Sequence, residues 1–152
     1  MGIEDLRDEI GARRLLLVDT PVFSYHLADH PRYAPLTAVI LEAIESGRVA
    51  GLTSAITVAE ILTLPALAGD RRAMQDYELF LTNFPNLRLA PVDVTLARET
   101  AWVRAATGLR TPDAVQVAAA RLYGADAIIT NDHRWAERVS APPVILLDTY
   151  QQ

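Results

Sequence analysis

The apolar positions of this chain fall into short unbroken runs separated by longer stretches with helical spacing. Leu15-Leu16-Leu17-Val18 is a continuous apolar run that stops at Asp19, the pattern of a strand covered on both faces. Residues 51–53, 87–90 (ahead of Pro91), 125–130 and 144–147 read as further strands. After Asp19 a helical stretch is broken by Pro31 and Pro35, and residues 38–46 resume the period until Gly47. Helices are predicted over 54–64 (ended by Pro65), 71–81, and 94–106 (closed by Gly108). Thr111-Pro112 has the form of an N-cap followed by a proline at the first helical position, and opens a helix that runs to Tyr123 and ends at Gly124. Residues 132–139 form a short helix, and residues 1–14 a charged amphipathic lead-in. Strands alternating with helices predict an α/β fold, a central parallel sheet flanked by helices on both faces.

Length and composition narrow this picture. A chain of 152 residues suits one domain spanning 1–152, and 51% hydrophobic residues exclude a disordered chain. No apolar run approaches the roughly 20 residues that span a bilayer. Met1 to Arg14 mixes acids with arginines and lacks the apolar core of a signal peptide, so a cytoplasmic protein with no membrane association is expected. The absence of cysteine excludes disulfides, thiolate metal sites and a cysteine nucleophile.

Charge excludes more. A net charge of −5 argues against broad electrostatic attraction to nucleic acid. All 14 basic residues are arginine, which removes any mechanism that needs lysine, those of receiver domains and haloacid-dehalogenase-like phosphatases included. Arginine still grips phosphate through its planar fork. Neither a P-loop GK[ST] nor a dinucleotide GxGxxG is present.

In an open parallel sheet ligands bind beyond the carboxyl ends of the strands. Four acids fall there: Asp19 after the first strand, Glu60 early in the helix that follows the second, Asp113 in the first turn of the helix opened by Thr111-Pro112, and Asp132 after Thr130-Asn131. Each has a local reading. Thr57 and Glu60 have capping-box spacing, Asp113 suits a helix dipole, and Asp132 could cap its short helix. Asp19 resists such a reading, because the end of a buried strand strips a carboxylate of its solvation. Helix caps need no common location, whereas these four share one mouth of the sheet. Clustered carboxylates repel one another unless a cation lies among them, and hard oxygen ligands without His or Cys suit Mg²⁺ or Mn²⁺. Trp102 and Trp135 occupy helical positions where core packing is the ordinary role. The three histidines form no ligand cluster, and His133 alone adjoins a candidate acid.

The segments Val18-Asp19-Thr20, Thr57-Val58-Ala59-Glu60-Ile61-Leu62, Thr111-Pro112-Asp113-Ala114 and Thr130-Asn131-Asp132 resemble, in order, the four acidic motifs of PIN domains. The resemblance covers almost the whole chain and is nearest to the VapC-type toxins of toxin–antitoxin pairs. It implies a Mg²⁺- or Mn²⁺-dependent ribonuclease acting on an RNA substrate. Asp19 and Asp113 match the acids most directly tied to metal, Glu60 and Asp132 complete the quartet, and Thr20 and Thr130 match supporting hydroxyls. Pro21 departs from the pattern, in which a small polar residue is common. The resemblance further implies a cognate antitoxin that lays a peptide over the protein; an arginine from that peptide, placed among the acids, is the simplest physical block, and a homodimer is also expected. Residues 38–44 and 58–67 carry more apolar surface than one core face needs, and are the expected partner and dimer surfaces. Arg13, Arg14, Arg110 and Arg134 are the candidate RNA contacts. The alternative is a PIN-like module that binds RNA or protein without cleaving.

Overall fold

A computed structural model describes residues 1–151. Strands β1 (Leu15–Val18), β2 (Ala50–Ser54), β3 (Leu87–Ala90), β4 (Ala127–Thr130) and β5 (Val144–Leu146) form one sheet in the order β3-β2-β1-β4-β5. Every neighbouring pair is parallel. The helices among the described residues are α1 (Ile3–Gly11), α2 (Thr20–Leu27), α3 (Ala34–Glu45), α4 (Ala55–Leu67), α5 (Arg71–Asn83), α6 (Val94–Thr107), α7 (Thr111–Tyr123) and α8 (His133–Arg138), followed by a 3-10 turn at Leu147–Tyr150. The α/β architecture with both faces covered is the one expected from the alternation of runs.

β1 is central, which is why its sequence is apolar without alternation. Leu16 and Val18 belong to the core layer shared with α1 through α5, while Leu17 belongs to the opposite layer with α6, α7 and Trp135 of α8. From β1 the chain moves outward to β2 and β3, then returns to the other side for β4 and β5. That reversal sets the carboxyl ends of β1 and β4 side by side and opens the crevice in which such sheets bind ligands. Gly108 and Gly124 close α6 and α7 in the left-handed conformation, as their positions in the sequence predict.

Several local expectations are corrected. The lead-in is helix α1, and it belongs to the core: Leu6 and Ile10 are buried against α3 and the final turn. Pro31 and Pro35 do not merely interrupt one helix. Pro35 sits in the first turn of α3, where a missing N–H costs nothing, so α3 starts at Ala34 rather than 38. Pro21 occupies the same kind of position in α2. Pro65 does not end α4, which runs on to Leu67 and gives up the hydrogen bond that residue 65 would donate. Thr111 is the first helical residue of α7, not its cap; Arg110 precedes it. Of the two apolar surfaces reserved for partners, 38–44 is consumed by the core, since Val39, Ile40, Leu41, Ala43 and Ile44 are all buried.

Because α1 anchors the fold by two fully buried side chains, Leu6→Ala is expected to lower unfolding stability by about 2–5 kcal/mol, the usual range for emptying a packed leucine site. Urea denaturation checks this, and a loss near zero would show that α1 is a loose appendage.

Candidate functional site

Asp19 leaves β1 and caps α2. Its Oδ1 accepts from the Thr20 backbone N–H at 2.8 Å and its Oδ2 accepts from the Thr130 hydroxyl at 2.7 Å. Thr130, the last residue of β4, in turn accepts from the Asp132 backbone N–H at 3.1 Å. The adjacency of β1 and β4 therefore couples two of the predicted acids through one hydroxyl. Asp19 is only 5% exposed and makes no ion pair among the described residues. Burial, opposed by these two donors and aided by the charges of Asp113 and Glu60, pushes its carboxyl up to about 7.

Glu60 is positioned from a different direction. Ser54 caps α4 by accepting from the Ile56 N–H, so Thr57 lies inside the helix and the Thr57–Glu60 spacing is not a capping box. Thr57 is buried and instead joins a chain of hydroxyls. The Thr20 Oγ1 donates to Glu60 Oε1 at 2.7 Å, lies 3.0 Å from the Thr57 hydroxyl, and Thr57 lies 2.7 Å from that of Thr53. A hydroxyl has one proton, and an ionised Glu60 can only accept, so the donor order runs Thr53 to Thr57 to Thr20 to Glu60. Gln116 of α7 braces this chain: its Nε2 donates to Thr57 at 2.8 Å, and its Oε1 accepts from the Ser54 backbone N–H at 3.2 Å.

Gln116 was not among the sequence candidates. Its signal was there: it is the one amide in the otherwise apolar run that follows Asp113, three positions further along the same helix, and a buried amide needs polar partners.

Asp113 and Asp132 differ from the buried Asp19. Asp113 stands in the first turn of α7 and is partly exposed; burial and then the charge of Asp132 raise its carboxyl, with Arg134 opposing. Asp132 caps α8, as one local reading proposed, and holds Arg134 at 2.5 Å, a pairing that keeps its carboxyl below the ordinary range. The same guanidinium reaches Asp113 at 3.5 Å. Asp19, Thr20, Pro21, Ser24, Tyr25, Glu60, Asp113 and Asp132 line a single open cavity of about 340 Å³. The structure thus brings all four sequence-predicted acids to one mouth. It separates the arginines: Arg134 is at the mouth and Arg110 beside α7, whereas Arg13 and Arg14 bind Asp126 and Gly124 at the opposite, amino end of β1. Trp135 is core, but Trp102 is 71% exposed, because the buried row of α6 is Leu96, Thr100 and Val103. His133 is exposed and pairs with Asp148 at 2.7 Å.

The donor set suits a hard divalent cation, since the cavity is lined by four carboxylates and by no His or Cys. Among the described residues no three acids or histidines draw close enough to form a ready-made cage. An ion held by one or two carboxylates and otherwise by water needs no such cage.

A parallel sheet with acids at its switch point defines a class of α/β ligand-binding sites, and the chain's likeness to known proteins narrows it. A family model, PIN domain, matches residues 16–141, so the chain belongs to the PIN domain family. Helix α1 lies ahead of the matched segment. The fold is similar to those of VapBC2 from Rickettsia felis, solved with a DNA fragment from its promoter (TM-score 0.67, 14% identity, 87% of this chain and 98% of that one). It is also similar to VapBC from Salmonella typhimurium (TM-score 0.66, 18% identity, 88% and 98%) and FitAcB from Neisseria gonorrhoeae (TM-score 0.64, 22% identity, 88% and 97%). No curated protein matches the chain.

A carboxyl raised from 3.8 to about 7 keeps its proton in the folded state over a range where the unfolded chain has lost it. For this group the folded state binds more protons, so metal-free stability should fall as pH rises from about 4 to 7 and then level. Asp19→Asn should flatten that slope. Thermal unfolding across this range in chelator checks it, and an unchanged slope in the variant would show that Asp19 is not the responsible group.

Proposed function

We propose that this chain is a divalent-metal-dependent ribonuclease, acting in the cytoplasm as the toxin of a toxin–antitoxin pair and built as one PIN-like domain. The observation that carries the reading is the convergence of Asp19, Glu60, Asp113 and Asp132 on one cavity, with the innermost acid buried beside no cation of its own. Asp19 and Asp113 are the residues to hold Mg²⁺ or Mn²⁺, with Glu60 and Asp132 completing the site. An ion there supplies Lewis acidity and a water of lowered pKa. The chain's own groups do the rest. Thr130 and the Thr20 N–H fix the Asp19 carboxylate, so its charge is presented without reorganisation. Glu60 has Oε1 fixed by Thr20, and its other oxygen, without a hydrogen-bond partner among the described residues, is available to accept a proton from the attacking water. Arg134, released from Asp132 and Asp113 when positive charge arrives, is placed to meet a phosphate.

Mn²⁺ should raise the melting temperature of the parent protein by ligand linkage. The double substitution Asp19→Asn with Asp113→Asn should remove the rise, and Asp113→Ala should reduce cleavage of structured RNA to background. Cleavage that persists in Asp113→Ala, in preparations free of contaminating nuclease, would refute the mechanism. A parent protein that binds RNA and metal without cutting would favour the non-catalytic module.

The antitoxin reading draws support from the surface beside the site. Helix α4 is apolar on nearly every side, yet only Thr57, Ile61 and Pro65 are buried. Leu64 and Leu67 are 76% and 79% exposed. With Ser24, Leu27 and Tyr77 among its walls, Leu64 borders a groove of about 400 Å³ that shares Ser24 and Glu60 with the acid cavity. A peptide in the groove would therefore carry an arginine to the acids directly. Val94 and Trp102 on α6 are exposed apolar residues away from this groove, and we assign the proposed homodimer contact to that helix. Leu64→Asp should weaken binding of the adjacent gene's product roughly thirtyfold or more, the loss of an anchor worth about 2 kcal/mol, and leave RNA cleavage unchanged. Isothermal titration alongside a cleavage assay checks both halves, and unchanged affinity would remove the groove from the partner interface.

A further inference from the structure

A nuclease with a net charge of −5 and an acid-lined mouth has little electrostatic hold on a polyanion. Arg134 can meet a phosphate only once two carboxylates release it, and Arg13 and Arg14 lie at the wrong end of the sheet. Contacts that do not depend on charge would therefore add to the hold on a substrate. The cavity holds one group of that kind, Tyr25.

We propose that Tyr25, backed by Tyr33, is a stacking platform for an unpaired nucleobase of the RNA beside the phosphate addressed by the acids. The inference rests on the ribonuclease reading and adds a base-binding subsite to it. The two phenol rings stack with centroids 4.4 Å apart and planes 23° from parallel. The His30 ring lies 5.1 Å from Tyr25 and 4.9 Å from Tyr33. His30 is itself held, its Nδ1 accepting from the Arg32 N–H at 3.1 Å. Both tyrosines are only partly buried; Tyr33 stacks on one face of Tyr25, His30 meets it edge-on, and Tyr25 lines the open cavity.

The cluster is fastened to the acid-bearing loop rather than to the core alone. The Tyr33 hydroxyl donates to Asp148 at 2.7 Å, the Asp148 N–H donates to the Asn131 side chain at 3.0 Å, and Asn131 Nδ2 reaches the Tyr25 hydroxyl at 3.5 Å. Asn131 stands between Thr130 and Asp132, so the platform and the acids share a scaffold. Held in this way, Tyr25 loses little freedom when a base stacks on it, and base–aromatic stacking tolerates any base because each has a π-face.

The test uses Asp113→Asn protein, so that RNA is bound and not cut. Its probes are a single-stranded oligoadenylate and an abasic ribose-phosphate oligomer of equal length. Tyr25→Leu should weaken oligoadenylate binding on the order of tenfold, the effect of losing one stacked base, and leave abasic binding unchanged. Tyr25→Phe should bind both as the Tyr25 protein does. If Tyr25→Leu does not fold, photocrosslinking of a 5-iodouridine oligomer to protein with Tyr25 intact takes its place, and the crosslink should map to Tyr25. Equal oligoadenylate affinity with Leu at 25, an equal loss for both probes, no RNA binding at all, or a crosslink elsewhere would each overturn the platform. Metal-dependent cleavage by the parent protein, measured separately, shows whether the ribonuclease reading falls with it.

Discussion

Asp19 follows a strand with parallel neighbours on both sides, and among the described residues its carboxylate meets two hydrogen-bond donors but no cationic side chain. Donors alone do not restore what water supplied, which is why its carboxyl titrates so high despite good hydrogen bonds. Moving Asp19 outward would relieve it, but β1 cannot move. Leu16, Leu17 and Val18 are locked into the two core layers and into the ladders with β2 and β4. The fold therefore holds an acid where acids are costly, and holding a strained group in place is a common property of functional sites.

The other acids are arranged around that fixed point by hydroxyls rather than by charges. Thr130 links Asp19 to the Asp132 loop, and Thr20 links the first turn of α2 to Glu60 on α4. Thr53 and Thr57 extend the chain back into β2, and Gln116 ties it to α7, the helix that carries Asp113. Four segments distant in sequence thus share one hydrogen-bonded network, buried at Asp19, Thr20, Thr53, Thr57, Gln116 and Thr130 and open at Glu60 and Asp132. Such a network is worth most when every member is satisfied, so a single apolar replacement, at Gln116 for instance, would strand several partners at once.

The central features were readable from sequence because they depend on local pattern. An unbroken apolar run ending in Asp, two helices closed by Gly108 and Gly124, and alternation of strand and helix together fix the sheet and the placement of its carboxyl ends. What could not be read depends on three-dimensional neighbours. Arg13 and Arg14 look as though they flank Asp19, yet β1 separates them from it by the length of the strand. Residues 38–44 and 58–67 look equally apolar, but the first lies under the sheet on α3 while α4 turns Leu64 and Leu67 outward. Trp102 and Trp135 show the same ambiguity: sequence gives both a helix, and only packing decides which ring is covered. Gln116 escaped notice because an isolated amide in an apolar helix announces a partner without naming it.

The site has an inner and an outer half, and the division bears on which cations it accepts. The outer acids already share Arg134, which lowers the Asp132 carboxyl and opposes the rise at Asp113. The inner acid has no such relief and is almost wholly enclosed. A bulky guanidinium suits the rim, where planar geometry and two oxygens are available, whereas a small ion with its waters can approach a carboxylate that offers little surface. A divalent ion held by Asp19 and Asp113 would then release Arg134 from Asp113 and leave it at the rim to face a phosphate. An arginine delivered along the groove bordered by Leu64 would reach Glu60 first, since that residue lines both hollows. Under the proposed function such an arginine would take the position a phosphate needs while Asp19 stayed beyond its reach, so inhibition would act at the rim and would not require a bound cation to leave.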